Sequence, residues 1–182
     1  RPGAAMQQAG YPRHVPSQED RTMTQLAASL DALRARARPI PMDAAARQAW
    51  ADQFNAMPAM GATGARLDLA DPALVRVHLS EVGPHHQGGM GSSAVNGAVI
   101  AGLFDAALGV AGVIQFPGRR AGTVELSVKF MRPTRGRSVD AYAIALKRAE
   151  GLAFMEGELW SEGKLCAVAT GIVSTARGVA EE

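Results

Sequence analysis

Cysteine is nearly absent: Cys166 is the only one among 182 residues. No intrachain disulfide can form and no cysteine-based metal site exists, so a reducing, cytoplasmic compartment is expected. Net charge is also small. A formal charge of +2 and a pI of about 9.0 are too modest to point to nucleic acid without a concentrated basic patch. Up to Asp20 the chain mixes proline, glutamine, glycine and charges, with no apolar run of leader length, so export is not expected. It begins on Arg1 rather than Met, as a sequence starting inside a longer chain, or one with a misassigned start, would. Histidine is scarce too, and His85–His86 sit on a glycine-rich loop without a supporting carboxylate or cysteine cluster. They read as loop packing or substrate entry, and no metal or cofactor is expected.

What is present is a long apolar stretch with a single charge in it. Between Asn96 and Gly118 only Asp105 is charged. The stretch reads as a buried helix, and burying an unpartnered carboxylate costs several kcal/mol. A sequence keeps an acid there when it is paired or does chemistry, which makes Asp105 the first candidate for a functional residue. A membrane span is the competing reading, since about 20 apolar residues suffice. Five glycines and the mid-span acid argue against it, as do the alternating strands that follow and need the helix as their apolar cover.

The rest of the chain falls into two styles. Residues 1–17 read as an arm. Met23, Leu26, Leu30 and Leu33 have helical spacing within Gln18–Arg38, a helix ended by Pro39 and Pro41. A second helix opens with Asp43 as N-cap, carries Trp50 and Phe54 on one stripe and ends near Pro58. From Arg66 onward the pattern is that of strands: Leu67 and Leu69, then Leu74 to Leu79 after the Asp71–Pro72 turn. A glycine-rich loop (83–91) leads into the apolar helix. Val124, Leu126, Val128 and Phe130 then alternate with Glu125, Ser127 and Lys129, and three further strands fit 139–148, 152–161 and 165–174. The expected fold is α+β: a curved antiparallel sheet wrapped around one long central helix. Gly102, Gly109 and Gly112 on the helix, with Ala167, Ala169 and Gly171 on the last strand, are expected to permit close approach.

The block from Asn96 to Asp105 and the strand from Thr123 to Pro133 together resemble the PaaI-like branch of the hotdog-fold acyl-CoA thioesterases. The resemblance runs from about Arg66 to Ser174. It divides the chain into an arm and helical extension (1–60), a hotdog thioesterase domain (61–177) and a tail (178–182). It implies a hotdog dimer, or a tetramer of paired dimers, that hydrolyses an acyl-coenzyme A in the cytoplasm without nucleic acid or membrane as partner. By the same resemblance the Gly97 N–H polarises the thioester carbonyl, Asp105 is nucleophile or general base, and Thr123 assists the attacking water. Strict alternation, however, places Thr123 with Glu125 and Ser127 on the polar side unless the strand begins irregularly. The family's usual His-Gly-Gly is Asn96–Gly97–Ala98 here, and asparagine can also donate a hydrogen bond. The loop asparagine of many members falls on Met90, with Gln87 as the substitute. Substrate contacts are expected at Gln87, Gly89, Ala98, Arg120, Lys129 and Arg132, the basic ones suited to the phosphates of coenzyme A.

Helix geometry adds a constraint on assembly. Eight residues of helix span about 12 Å, so Gly97 and Asp105 of one helix cannot both reach one carbonyl. If they cooperate they come from different subunits, most simply of an isologous dimer. A positive helix end suits the oxygen charge that develops there. Two other readings stay open. One is a hotdog dehydratase or hydratase, for which Asn96 is a poor proton carrier. The other is an acyl-CoA sensor whose N-terminal helices, with Arg34, Arg36 and Arg38, bind DNA.

Overall fold

The structure is a computed structural model that describes residues 17–88 and 93–176. Most of the expected arm, Gly89, Met90 and the tail lie outside the described residues.

Ser17 opens α1 (Gln18–Arg36) through a capping box in which its hydroxyl accepts from the Asp20 N–H and the Asp20 carboxylate accepts in return. Asp43 caps α2 (Ala44–Asn55), accepting from the Ala46 N–H at 2.8 Å. A short α3 (Pro58–Thr63) follows, with proline in its first turn and Gly64 ending it at φ 65°. The strands are β1 (Ala65–Asp68), β2 (Val75–Leu79), β3 (Ala121–Phe130), β4 (Val139–Ala149), β5 (Leu152–Ser161) and β6 (Lys164–Thr175). The long helix, α4 (Gly97–Val113), lies between β2 and β3 in sequence.

All six strands form one antiparallel sheet in the order β1-β2-β4-β5-β6-β3. α4 packs across the inner face of this sheet, and together they form the hotdog fold. Ile100, Leu103, Phe104, Ala107, Leu108, Ala111 and Ile114 are buried at helical spacing. They meet Val77, Ala141, Ala143, Met155, Leu159, Ala169 and Val173 from the strands. Gly112 is required by proximity: a Cβ there would stand 2.6 Å from Val173 Cγ2 and 2.8 Å from Met155 Sδ. Gly102 behaves differently from expectation. Nothing lies within 4 Å of its would-be Cβ, because it faces away from the sheet. No helix among the described residues is long and apolar enough to cross a membrane.

α1 lies on the outer face of the sheet. Leu33 is buried against Leu74 and Ile144, Ser29 donates to Glu158 at 2.7 Å, and Arg36 pairs with Glu156. Arg34 bonds Asp71 at 2.8 Å and raises its own pKa through that bond. Asp71 is partly buried, which alone would raise its pKa, but Arg34 and the N–H groups of Ala73 and Leu74 hold it below the usual carboxylate range. α2 and α3 sit at the other side of the sheet, with Trp50 and Phe54 stacked at 5.5 Å and packed on the main core.

Candidate functional site

The expected burial of Asp105 is corrected by the structure: in a single chain the residue is exposed. Ile100, Leu103, Phe104, Leu108 and Val110 of α4 are buried, whereas the opposite stripe consists of Gly97, Ala98, Gly102 and Asp105, all exposed. One sheet covers one face of a helix. The apolar character of the other face comes from small residues, and Gly97, Ala98 and Gly102 stay exposed among the described residues. Among the described residues no hydrogen bond or ion pair engages the Asp105 carboxylate.

Asn96 caps α4, its Oδ1 accepting from the Ala98 N–H at 2.8 Å. The side-chain amide therefore keeps Nδ2 as its donor end, and it packs against Gly88, where a Cβ would collide with it. The loop is pinned by the Asn96 N–H donating to His86 O at 2.8 Å. Gly97, exposed, opens the helix one residue later, at the end where backbone N–H groups lack intrahelical partners. It borders a surface groove with Phe130, Arg132 and Thr134. Phe130 would stand 3.5 Å from a Cβ at position 97, an ordinary contact.

Thr123 illustrates a local irregularity with a large effect. The register of β3 on β6 shifts between Thr123 and Glu125, leaving Val124 as an extra, 64 % exposed residue. The shift turns Thr123 out of the polar set with Glu125 and Ser127 and onto the helix side. Its Oγ1 lies 3.1 Å from where a Cβ on Gly109 would be, one helical turn beyond Asp105. The structure thus brings Thr123 to the Asp105 stripe, against strict alternation.

The remaining expected contacts are scattered. Ala98 lines a cavity with Asp105. Gln87 is exposed and bridges Val95 at the loop base. Arg132 borders the Gly97 groove; exposed Lys129 donates to Ser127 Oγ at 3.0 Å. Arg120 stands at the opposite end of β3, its carbonyl accepting from the Ala176 N–H. Over a strand of this length that is about 30 Å from Arg132, so the two do not form one patch. His86 is buried; its Nδ1 accepts from the Gly83 N–H and its Nε2 faces Thr63 O, both at 2.9 Å. That pairing fixes the proton on Nε2 and makes His86 a loop brace. Among the described residues no group of three or more potential ligands could hold a metal.

The cavity beside Asp105 has a volume of about 520 Å³. Ala98, Gly102 and Ala106 of α4 form one wall, Phe54, Met57 and Met60 of α2–α3 face them, and Val77 and Ala65 line it further. Gly97 is not among its lining residues. Within one chain the helix tip and the acid therefore open onto different depressions.

Known proteins share this fold and part of this sequence. The thioesterase superfamily model matches residues 93–167. The fold of a mutant of the phenylacetic acid degradation protein PaaI from Thermus thermophilus is similar at 27 % identity and a TM-score of 0.57, covering 65 % of this chain and 98 % of that one. Escherichia coli PaaI is similar at 19 % identity and a TM-score of 0.62, covering 72 % and 93 %. A Bacillus halodurans protein crystallised with CoA is similar at 20 % identity and a TM-score of 0.60, covering 90 % and 97 %. The fold is that of the PaaI-like hotdog proteins, and residues 93–167 are similar to the thioesterase superfamily. No curated protein matches the sequence.

The superfamily match begins just before Asn96 and takes in α4, β3 to β5 and the start of β6. It includes Asp105, Gly97 and Thr123 but leaves out α2 and α3, hence one whole wall of the cavity. Sequence reasoning missed that wall. Met57 and Pro58 read as a helix end, although proline in the first turn and glycine at the stop were legible signals for α3. It also passed over His78, which bonds Asp140 at 2.7 Å beside the Arg76–Asp140 pair on the outer sheet face.

Proposed function

We propose that this protein hydrolyses the thioester bond of an acyl-coenzyme A to a free acid and coenzyme A, as a cytoplasmic homodimer able to pair into a tetramer. The observation that carries the reading is Asp105, an unengaged carboxylate in the wall of an apolar cavity and out of reach of its own helix tip. In the proposed dimer the Gly97 N–H of one protomer and Asp105 of the other flank a single carbonyl. Asp105 takes a proton from water as the hydroxide adds, or itself attacks to give an anhydride that water then cleaves. In either case the carbonyl oxygen gains negative charge facing the helix tip, and collapse expels the coenzyme A thiolate. Thr123, one turn along from Asp105, orients the water. Asn96 holds the helix tip by its cap, and Gly97 leaves the approach clear.

The surface features fit that assembly. β3 is an edge strand with no buried residue, and Val124, Phe130 and Met131 are more than half exposed. Such an edge, next to the small-residue face of α4, suits a second copy of the chain. Arg132 and Lys129 are the candidates for coenzyme A phosphate contacts, with Gln87 and Gly89 on the entry loop and Arg120 at the far end of β3. The DNA-binding alternative loses its main argument, because Arg34 and Arg36 are turned onto Asp71 and Glu156. Buried, unpaired Cys166 suits a reducing compartment.

The test is complementation between inactive protomers. Asp105→Asn and Gly97→Val each abolish thiol release alone. Mixed after co-refolding, half of the dimers hold one intact composite site, so about a quarter of the wild-type rate returns. No recovery in a mixture shown to contain heterodimers rejects the shared site, and wild-type turnover by Asp105→Asn rejects the catalytic acid.

A further inference from the structure

The cavity beside Asp105 has two walls from different parts of the chain. Its α4 side belongs to the superfamily-matched region, but the opposite side is built by the α2–α3 segment that precedes the sheet. Phe54 is fixed by stacking on Trp50, and Met60 is buried in the main core. Met57 is 48 % exposed at the start of α3, a large apolar side chain left beside an opening. The cavity is lined almost entirely by apolar side chains. Among the described residues Asp105 is its only carboxylate and no lysine or arginine lines it; of the two histidines, His86 has both ring nitrogens committed to backbone groups, and exposed His85 stands at the rim. At about 520 Å³ it lies within the range of roughly 300–1,000 Å³ usual for small-molecule sites.

We infer that α2–α3 is the specificity element of this protein: Phe54, Met57 and Met60 hold the acyl group of the thioester, and the group they accept is an uncharged apolar one, aryl or medium-length alkyl. The inference rests on the proposed thioesterase reading, which places the reacting carbonyl at Asp105. The coenzyme A arm leaves toward the basic side chains near Gly97, so the acyl body is the part that enters a cavity without lysine or arginine. An acyl group ending in a carboxylate finds no lysine or arginine there and meets Asp105 instead. Flexible methionines at the wall adapt to apolar groups of different shape. Each methylene buried in the cavity improves kcat/KM about fourfold until the cavity is full.

Two measurements test this. The first reads binding without hydrolysis: ¹³C-methyl methionine spectra of the full chain, titrated with the thioether S-octyl-CoA and with CoA alone. Met57 and Met60 methyl signals shift with S-octyl-CoA and not with CoA, while exposed Met23 on α1 stays put. If Met57 and Met60 do not move, the inference is overturned, the outcome expected if a partner protomer fills the cavity. The second is thiol release across acetyl-, hexanoyl-, octanoyl- and succinyl-CoA for the wild type and Met57→Lys. The substitution lowers the octanoyl-to-acetyl preference by about tenfold or more and raises the succinyl-to-octanoyl ratio. Unchanged ratios overturn the inference. Methyl shifts without thiol release from any substrate uphold the acyl site and reject the thioesterase reading instead.

Discussion

Replacing Gly112 by alanine tests the central packing claim, that α4 lies so close to β5 and β6 that a single methyl group has no place. A Cβ at position 112 would stand 2.6 Å from Val173 Cγ2, 2.7 Å from Val173 Cβ and 2.8 Å from Met155 Sδ. Val173 is fully buried in β6, and its Cβ is tied to the strand backbone, so it cannot swing aside. Overpacking of this kind costs about 1–3 kcal/mol, and a contact against a fixed strand atom belongs at the upper end. Alanine in mid-helix recovers about 1 kcal/mol over glycine. The net loss is therefore about 2 kcal/mol, which in a chain of this size lowers Tm by about 4–8 °C. Gly61→Ala in α3 is the control. Nothing lies within 4 Å of its would-be Cβ, and the substitution raises stability by about 0.4–1 kcal/mol. Thermal and urea melts of both variants read the two signs. If Gly112→Ala matches or exceeds the wild type in Tm, α4 is not seated as described.

The docking of α1 gives a pH signature. Asp71 has a depressed pKa in the folded state, so its contribution is present above the ordinary carboxylate value of about 4 and is lost as pH falls through the folded value. Asp71→Asn keeps the acceptor for Ala73 and Leu74 but loses the Arg34 pair; it destabilises by up to about 1 kcal/mol at neutral pH, and the gap to the wild type closes in acid. A gap that is constant with pH, in melts from neutral to about pH 3, refutes the assignment. At the site, Thr123→Val preserves the branched shape at the bulge and removes the hydroxyl. A lost water-orienting bond of about 1 kcal/mol or slightly more lowers kcat by about tenfold with Tm unchanged. An unaltered kcat places Thr123 outside the chemistry.

Much of the architecture was legible because its signals are local. Asp43 and Asn96 have the side-chain chemistry of helix caps and perform it, and the turns Glu150–Gly151 and Glu162–Gly163 join the strands that their alternation predicts. The departures have nonlocal causes. Whether Thr123 faces the helix depends on a bulge created by its pairing with β6, and strict alternation cannot register an extra residue. The cavity wall is built by residues more than forty positions from Asp105 in sequence, so no spacing rule connects Met57 with Ala98.

Asp105 shows the limit of hydropathy most clearly. α4 is apolar in composition on nearly all sides, but its environment differs from face to face. The residues that the sheet covers are Ile, Leu, Phe and Val together with small ones, while the uncovered stripe is Gly and Ala around one acid. Size, more than polarity, separates the two faces. A stripe of small residues leaves the helix accessible to a second backbone, whereas larger side chains would hold it off. In a single chain the acid stays in water, so folding bears no cost of burying its charge. In the proposed dimer the acid is enclosed on assembly instead, at the step that also brings the partner's helix tip to the substrate. On that proposal the same face is open to water while the chain folds and is completed as a site only on assembly.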